Sequence, residues 1–376
     1  MKKVFFIDPQ SYNNLAMYDY ELLSRIEGYR IFFFGNKKYD YLIPENIVFK
    51  PIFSYSDKKG ILKVVSYVVS LIYIFLCAIF SRPRLIHVQW IKIPRVDYRL
   101  YAFIRKWLSV KIVYTVHNVL PHVRQKNDKY LYGRFYAMSD SLIVHTQTSK
   151  NDLIDSFGIK PEKIHVISHG PLTFREDELI VKREVDRIRE KYGIREKIVF
   201  GMLGNHSAYK GTDLLLDVWQ CSQALSASTE ACLIVAGKFH DIDYPSDLTK
   251  NIIVIPRSLT NTEFNALLQI TDVLLLPYRE ISQSGLLLSA VTRRKPFCVW
   301  NIGELTKPLE IANVGWTFPS LERREIEELL AEIVDNPDSV ISRRDNVEGW
   351  DMVCNYYSWD HSGSSTRALY DSISSN

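Results

Sequence analysis

The sequence predicts an α/β protein: two Rossmann-like, doubly wound parallel-sheet domains facing an interdomain cleft, with a C-terminal helix returning to the first domain. Two observations carry this reading. Short β-branched and aromatic runs alternate with helical patterns along the chain, the order that builds helix-covered parallel sheets. The alternation breaks once, near residues 168–180, where Ser168-His169-Gly170-Pro171-Leu172 leads into a charged segment, and then starts again. A chain of 376 residues is long enough for two ordinary cores. The expected divisions are residues 1–175, residues 176–355, and a closing segment, 356–376.

In the first series, residues 2–7, 29–35, 85–89, 111–117, 141–145 and 164–167 read as strands. Most are unbroken apolar runs, as parallel strands buried on both faces require. Helical patterns lie between them at 15–26, 61–80, 97–108 and 148–157. The second series places strands at 198–202, 231–236, 252–255, 272–276 and 296–300, with helices around 212–225, 262–268 and 284–293. Residues 323–334 have helical period with no clear strand after them, and Asp360 suits the N-cap of a last helix carrying Leu369 and Tyr370.

Composition narrows the class. Five scattered cysteines (Cys77, Cys221, Cys232, Cys298, Cys354) fit neither a disulfide framework nor a zinc site and read as reduced core residues. The apolar run after Lys3 is too short for a signal peptide and suits a first buried strand, which points to the cytoplasm. The net charge of +4 is unevenly spread. Residues 1–175 carry 26 Lys and Arg against 13 Asp and Glu, whereas residues 176–376 carry 21 against 30. A basic half suits anionic lipid or a phosphorylated acceptor. Nucleic acid is set aside, because no recognised module accompanies the basic residues.

In doubly wound sheets ligands bind beyond the carboxyl ends of the strands, so chemistry is sought on those loops. The segment from Phe200 to Gly211 joins a strand to a helix and contains Gly204, Asn205 and the pair Lys210-Gly211. Glycines let backbone approach a diphosphate, and Lys210 supplies a cation; an ordinary turn with a solvated lysine is the alternative. In Pro277–Ala290 a strand ends, Glu280 follows in a polar loop, and Ser284, Gly285 and Leu286 open a helix with free backbone N–H groups. His117, leaving a first-domain strand, can bond a substrate hydroxyl or phosphate; His122 lies further along the same loop. Tyr12, Asn13, Trp90 and Asn118, also on loops after first-domain strands, are the acceptor-side candidates. Asp241-Ile242-Asp243 is a possible metal pattern, but no strand delivers it directly, and no metal site is expected there.

In their order, these segments resemble the family-4 glycosyltransferases over nearly the whole chain. The glycine turn with Lys210-Gly211, the Pro277–Ala290 stretch, Val144-His145-Thr146 with Val166–Gly170, and Tyr357-Ser358-Trp359-Asp360 each look like a family segment. The resemblance implies that Lys210 neutralises a leaving diphosphate and that Ser284, Gly285 and Leu286 donate amides to it. It also implies that His117 contacts the transferred sugar, Glu280 its hydroxyls, and the segment near Arg257 the nucleotide base. It implies a UDP- or GDP-sugar donor as co-substrate, retention of configuration, and no metal or other cofactor. Three positions depart from the family pattern: Asn205, His206 and Ser207 stand where an arginine is usual, Ser289 replaces the ribose-binding glutamate, and Asp8–Asn14 lacks paired glycines.

Residues 64–80 carry no charge, and 95–108 interleaves Arg95, Arg99, Arg105 and Lys106 with Tyr98, Tyr101, Phe103 and Trp107. Because a strand follows Arg82-Pro83-Arg84 directly, the first of these helices is expected on the sheet, with one face toward lipid, rather than across a membrane. The expected partners are therefore a nucleotide sugar, a lipid-linked saccharide and an anionic membrane surface, in cell-surface polysaccharide or lipopolysaccharide synthesis. The other reading is a catalytically weakened homologue acting as a binding or partner subunit.

Overall fold

The computed structural model describes residues 2–121, 127–171, 176–195, 197–244, 247–280 and 284–375. The chain forms two units, residues 1–170 with 357–376, and residues 171–356. The first boundary falls five residues before the expected one. Gly170 is held in the first unit by Trp359, whose ring would lie 2.3 Å from a Cβ there. The closing segment begins at Tyr357, one residue later than expected.

The first unit holds β1 (Lys2–Ile7), β2 (Tyr29–Asn36), β3 (Ile47–Phe53), β4 (Leu85–Val88), β5 (Lys111–Val116), β6 (Ser141–Val144) and β7 (Ile164–Val166). They form one parallel sheet in the order β3-β2-β1-β4-β5-β6-β7. The second unit holds β8 (Ile198–Leu203), β9 (Ala231–Ala236), β10 (Ile252–Ile255), β11 (Val273–Leu276), β12 (Phe297–Val299) and β13 (Gly315–Thr317). Their order is β10-β9-β8-β11-β12-β13, again all parallel. Every residue of β8, β9 and β11 is buried, which accounts for their unbroken apolar runs. In each sheet the winding reverses beside its first strand, between β1 and β4 and between β8 and β11. Ligand-binding crevices of such sheets open at these switch points.

Two strands were not visible as expectations, and both are sheet edges. β3 contains Lys50 and Pro51, which an edge strand tolerates because one side of its ladder is unpaired. β13 has only three residues. The helices Asp128–Met138 and Glu178–Tyr192 are likewise additions. Conversely Gln89, His117, His145 and Ile167, expected to end strands, lie just past the ladders of β4 to β7. Their side chains are thereby freed for the loops.

The helix Gly60–Ser81 crosses from β3 to β4. Tyr67, Ser70, Leu71, Ile74 and Ala78 face inward, with the Tyr67 hydroxyl donating to Asp97 at 2.8 Å. The last helix, Trp359–Ser375, packs against the helix Asn14–Leu23. Ser358, not Asp360, caps it, accepting the His361 N–H at 3.0 Å. Asp360 instead pairs with Arg25 at 2.6 Å. An acid in the first turn of a helix still complements its dipole.

Candidate active-site elements

The second unit brings two of the expected segments together. After β8 the chain turns at Gly204 (φ 99°), makes a short 3₁₀ turn at Ala208–Lys210, and passes Gly211 (φ 73°) into the helix Thr212–Cys221. A Cβ on Gly211 would sit 2.3 Å from the Pro277 carbonyl oxygen, so only glycine lets this loop close on the segment after β11. That segment reaches back: the Arg279 N–H donates to Tyr209 O at 2.6 Å. Its guanidinium donates to Ala208 O at 2.5 Å and grips both carboxylate oxygens of Asp213 at 2.9 and 2.8 Å.

Tyr278 joins the two halves of this element. It is buried, and the Lys210 ammonium lies 5.6 Å from its ring centroid, in cation–π range. Burial pushes the Tyr278 phenol up, and the neighbouring Ser284 side chain offsets part of that rise. Ser284 also caps the helix Gly285–Thr292, its hydroxyl accepting the Leu287 N–H at 3.3 Å. That leaves the first-turn N–H groups of Gly285 and Leu286 without intrahelical acceptors. A Cβ at Gly285 or Gly204 would meet no atom of the described residues within 4 Å.

The charges fit an anion. Burial lowers the pKa of Lys210, and desolvation strengthens whatever anionic partner it meets. His206, within the stretch where the family's arginine is usual, adds no charge. It is buried against Phe239 and Thr212, and burial holds its pKa down at about 4. Arg279 is committed to Asp213. Among the described residues of these two loops, Lys210 is the cation not paired with an acid.

The remaining candidates of this unit are placed as follows. Asn205 is exposed beside Gly204, and Glu280 is exposed after Arg279; residues 281–283 of the same loop lie outside the described residues. The Ser289 hydroxyl turns back on its own helix, donating to Gly285 O at 2.9 Å. Arg257 stands beyond β10, two strands from β8, and binds Glu263 at 2.9 and 2.5 Å. Those bonds, chiefly, lower Glu263 to about 2, while Glu263 completes the capping box of the helix Asn261–Ile270. No described contact joins Arg257 to Lys210. Asp241 of the D-x-D accepts the Ala208 N–H at 3.1 Å, so it steadies the turn that carries Lys210. The roles of Arg279 and Tyr278 could not be read from the sequence, and Asp241 drew notice there only as a metal pattern, because what all three do depends on loops that meet only in space.

In the first unit His117 lies just past β5. Its ring stacks on Trp90 at 4.7 Å and 3°, and Tyr18 stands edge-on at 5.0 Å. Its Nε2 lies 2.9 Å from Gln89 Oε1. His87, His145 and His169 come from the neighbouring strand ends. Burial above all, then those three rings, holds His117 well below the usual histidine range, hence neutral. Asn118 follows directly and is partly buried, Tyr12 and Asn13 (φ 54°) lie on the neighbouring β1 loop, and His122 is outside the described residues.

Beneath that loop Asp8 and Asp19 are 1% and 0% exposed, and neither Asp19 carboxylate oxygen has a hydrogen-bond partner among the described residues. Two neighbouring buried carboxyls resist ionising together, because each charge disfavours the other. Burial raises Asp8 to about 7, and burial with the Asp8 charge raises Asp19 well above the carboxylate range. An acid raised by folding contributes stability below its unfolded value, about 4, and loses it as pH rises through the folded value. Asp19→Asn is therefore expected to raise Tm, relative to the unsubstituted protein, more at pH 8 than at pH 5. Equal shifts at both pH values, in parallel thermal melts, would mean that Asp19 is not held protonated there.

Comparison with known proteins agrees with this fold. Residues 24–171 match the family model Glycosyltransferase Family 4. HepE from Anabaena, solved in complex with UDP, aligns with a TM-score of 0.66 at 15% identity, over 99% of this chain and 100% of that one. A glycosyltransferase from Rickettsia africae aligns at 0.69 with 14% identity, covering 99% and 98%. Sucrose-phosphate synthase from Thermosynechococcus elongatus aligns at 0.65 with 13% identity, covering 99% of each. No curated protein matches in sequence. The fold is GT-B.

Proposed function

We propose that the protein moves a sugar from a UDP- or GDP-sugar to a lipid-linked saccharide acceptor on the cytoplasmic face of a membrane, in cell-surface polysaccharide or lipopolysaccharide synthesis. One observation carries the donor half: Lys210 and the open helix start at Ser284 both adjoin the buried Tyr278. A diphosphate placed there meets an uncommitted cation and two free amides. Such a preorganised cradle stabilises charge as it develops on the leaving group. HepE has been solved with UDP-glucose, which favours a uridine donor. With Lys210 and the amides in place, no metal is required to hold the diphosphate, and the leaving phosphate is free to assist a retaining transfer. Trp90 and His117, stacked beyond β4 and β5, offer a flat aromatic platform of the kind that binds a sugar ring.

The acceptor half rests on the helix Gly60–Ser81. By length and composition it could cross a membrane. Its inward face, however, is bonded to the helix Pro94–Leu108 through Tyr67 and Asp97, and to β3 through Ser70 and the Ile52 carbonyl. Its outer stripe, Ile61, Val65, Val69, Ile72, Leu76 and Phe80, is exposed, Phe80 by 85%. Spacings of three and four put these residues on one side. Trp107, 67% exposed and stacked on Phe103, continues the apolar surface, and Lys58, Lys59, Lys63, Arg82 and Arg84 flank the helix. An apolar stripe with basic ends suits an interfacial position on anionic lipid. Flotation is expected to carry the protein with vesicles containing phosphatidylglycerol and not with pure phosphatidylcholine, and Val69→Asp with Ile72→Asp should abolish it. Equal recovery with both vesicles would remove the membrane from the proposal.

A further inference from the structure

A hydrogen-bond relay runs through the first unit from the closing helix to His117. Tyr370 meets His87 Nδ1 at 2.5 Å. The other nitrogen, His87 Nε2, lies 2.7 Å from Thr115 Oγ1 and 3.3 Å from Gln89 Nε2. Gln89 Oε1 then lies 2.9 Å from His117 Nε2. The Gln89 amide gives this chain a direction, because its NH₂ only donates and its carbonyl only accepts. His87 Nε2 must therefore accept, from Gln89 and from the Thr115 hydroxyl, and its proton sits on Nδ1, toward Tyr370. His117 Nε2 must carry a proton and donate it to Gln89.

A neutral imidazole has one N–H, so the second nitrogen of His117 is bare. That Nδ1 has no hydrogen-bond partner among the described residues. The ring cannot easily turn to exchange its nitrogens. Trp90 covers one face in parallel, Tyr18 stands edge-on, and His145 lies 5.2 Å away. Around it stand further histidines, His87 and His169, and no acid is among the groups that set its ionisation.

We propose that Gln89 is a positioning residue that locks His117 as its Nε2–H tautomer, so that Nδ1 accepts a hydrogen bond from a substrate hydroxyl. Thr115, His87 and Tyr370 hold Gln89 in that orientation. A bare ring nitrogen also discriminates. It attracts a hydroxyl hydrogen and repels an acceptor-only group, so the position takes a neutral sugar hydroxyl and rejects a carboxylate or phosphate. The closing helix thereby has a chemical link to the site, through Tyr370. The catalytic part of this inference rests on His117 being a sugar contact, as proposed above; the tautomer itself does not.

Two measurements test it. Nitrogen-15 NMR of the ring nitrogens in the full chain should find His117 protonated on Nε2 and His87 on Nδ1. Protons on the opposite nitrogens would mean that the Gln89 amide points the other way, and would overturn the proposal without touching the transferase reading. Kinetics of Gln89 variants with a UDP-sugar form the second arm. Gln89→Leu should lower kcat/KM about 10- to 100-fold at all pH values, the range typical of lost outer-shell partners. Gln89→Glu should stabilise imidazolium at His117, adding a proton to Nδ1. Its kcat/KM should then fall on acidification through a new ionisation and recover at high pH. A pH profile for Gln89→Glu parallel to that of the unsubstituted enzyme would contradict the role assigned to Gln89.

Discussion

Lys210→Ala is expected to lower kcat/KM with the nucleotide-sugar donor by about 10²–10³-fold while leaving the fold intact, the loss typical of removing one preorganised electrostatic contact. The size follows from what surrounds it. Arg279 is spent on Asp213, and His206 is buried and neutral, so no neighbouring cation in the described loops can substitute. Removing Lys210 also relieves rather than creates a buried charge, because burial already lowers its pKa. Stability should therefore hold while activity falls. Initial rates across donor concentrations, with a melting curve on the same sample, measure both. A loss confined to KM would place Lys210 in ground-state binding. A partner-dependent activity indifferent to Lys210→Ala would favour a binding subunit over an enzyme, the alternative motivated by the absence of an arginine from Asn205–Ser207 and by Ser289.

The largest effect on stability is expected from Gly237→Ala. Gly237 follows β9 with φ 144°, and a Cβ there would lie 1.7 Å from the Gly204 carbonyl oxygen. Both loops are pinned: Gly204 N–H donates to Ala236 O at 2.9 Å and Gly237 N–H to Ile255 O at 3.0 Å. Neither can retreat without breaking the ladder ends of β8, β9 and β10. A cost of about 3–5 kcal/mol is expected, at the upper end for a single substitution. Gly193→Ala supplies the comparison. Its φ is 66° but nothing lies within 4 Å of its Cβ, so only the left-handed backbone is penalised, by about 1–2 kcal/mol. Chemical denaturation of both variants should show that gap; similar midpoints would mean that the Gly204 loop yields readily. Since Gly204 borders the proposed diphosphate cradle, Gly237→Ala should also weaken donor binding in whatever fraction folds.

The architecture was legible because buried parallel strands write themselves as apolar runs. β1, β9 and β10 have the bounds their side chains announce. β3 was illegible because an edge strand can carry Lys50 and Pro51 and so lacks that signature. In the second unit, Lys210, Ser284 and Gly285 could be read from strand–loop–helix logic. Tyr278, which ties them together, could not, since a buried tyrosine reads as core. Ser289 was placed on its helix correctly, yet its hydroxyl is satisfied by the carbonyl four residues back, a local bond that sequence spacing permits but does not reveal. The histidines of the first unit were individually ambiguous. Parallel β4, β5, β6 and β7 bring their ends side by side, and only that adjacency turns four isolated residues into one cluster, in which His87, His117 and His145 are held neutral.

The account depends on a diphosphate seated between Lys210 and the helix that starts at Gly285. A crystal structure of the protein with UDP tests this most directly. The β-phosphate is expected against the Lys210 ammonium and the N–H groups of Gly285 and Leu286, with the ammonium drawn off the Tyr278 ring. UDP bound elsewhere, or bound here with Lys210 still resting on Tyr278 and those amides untouched, would contradict it.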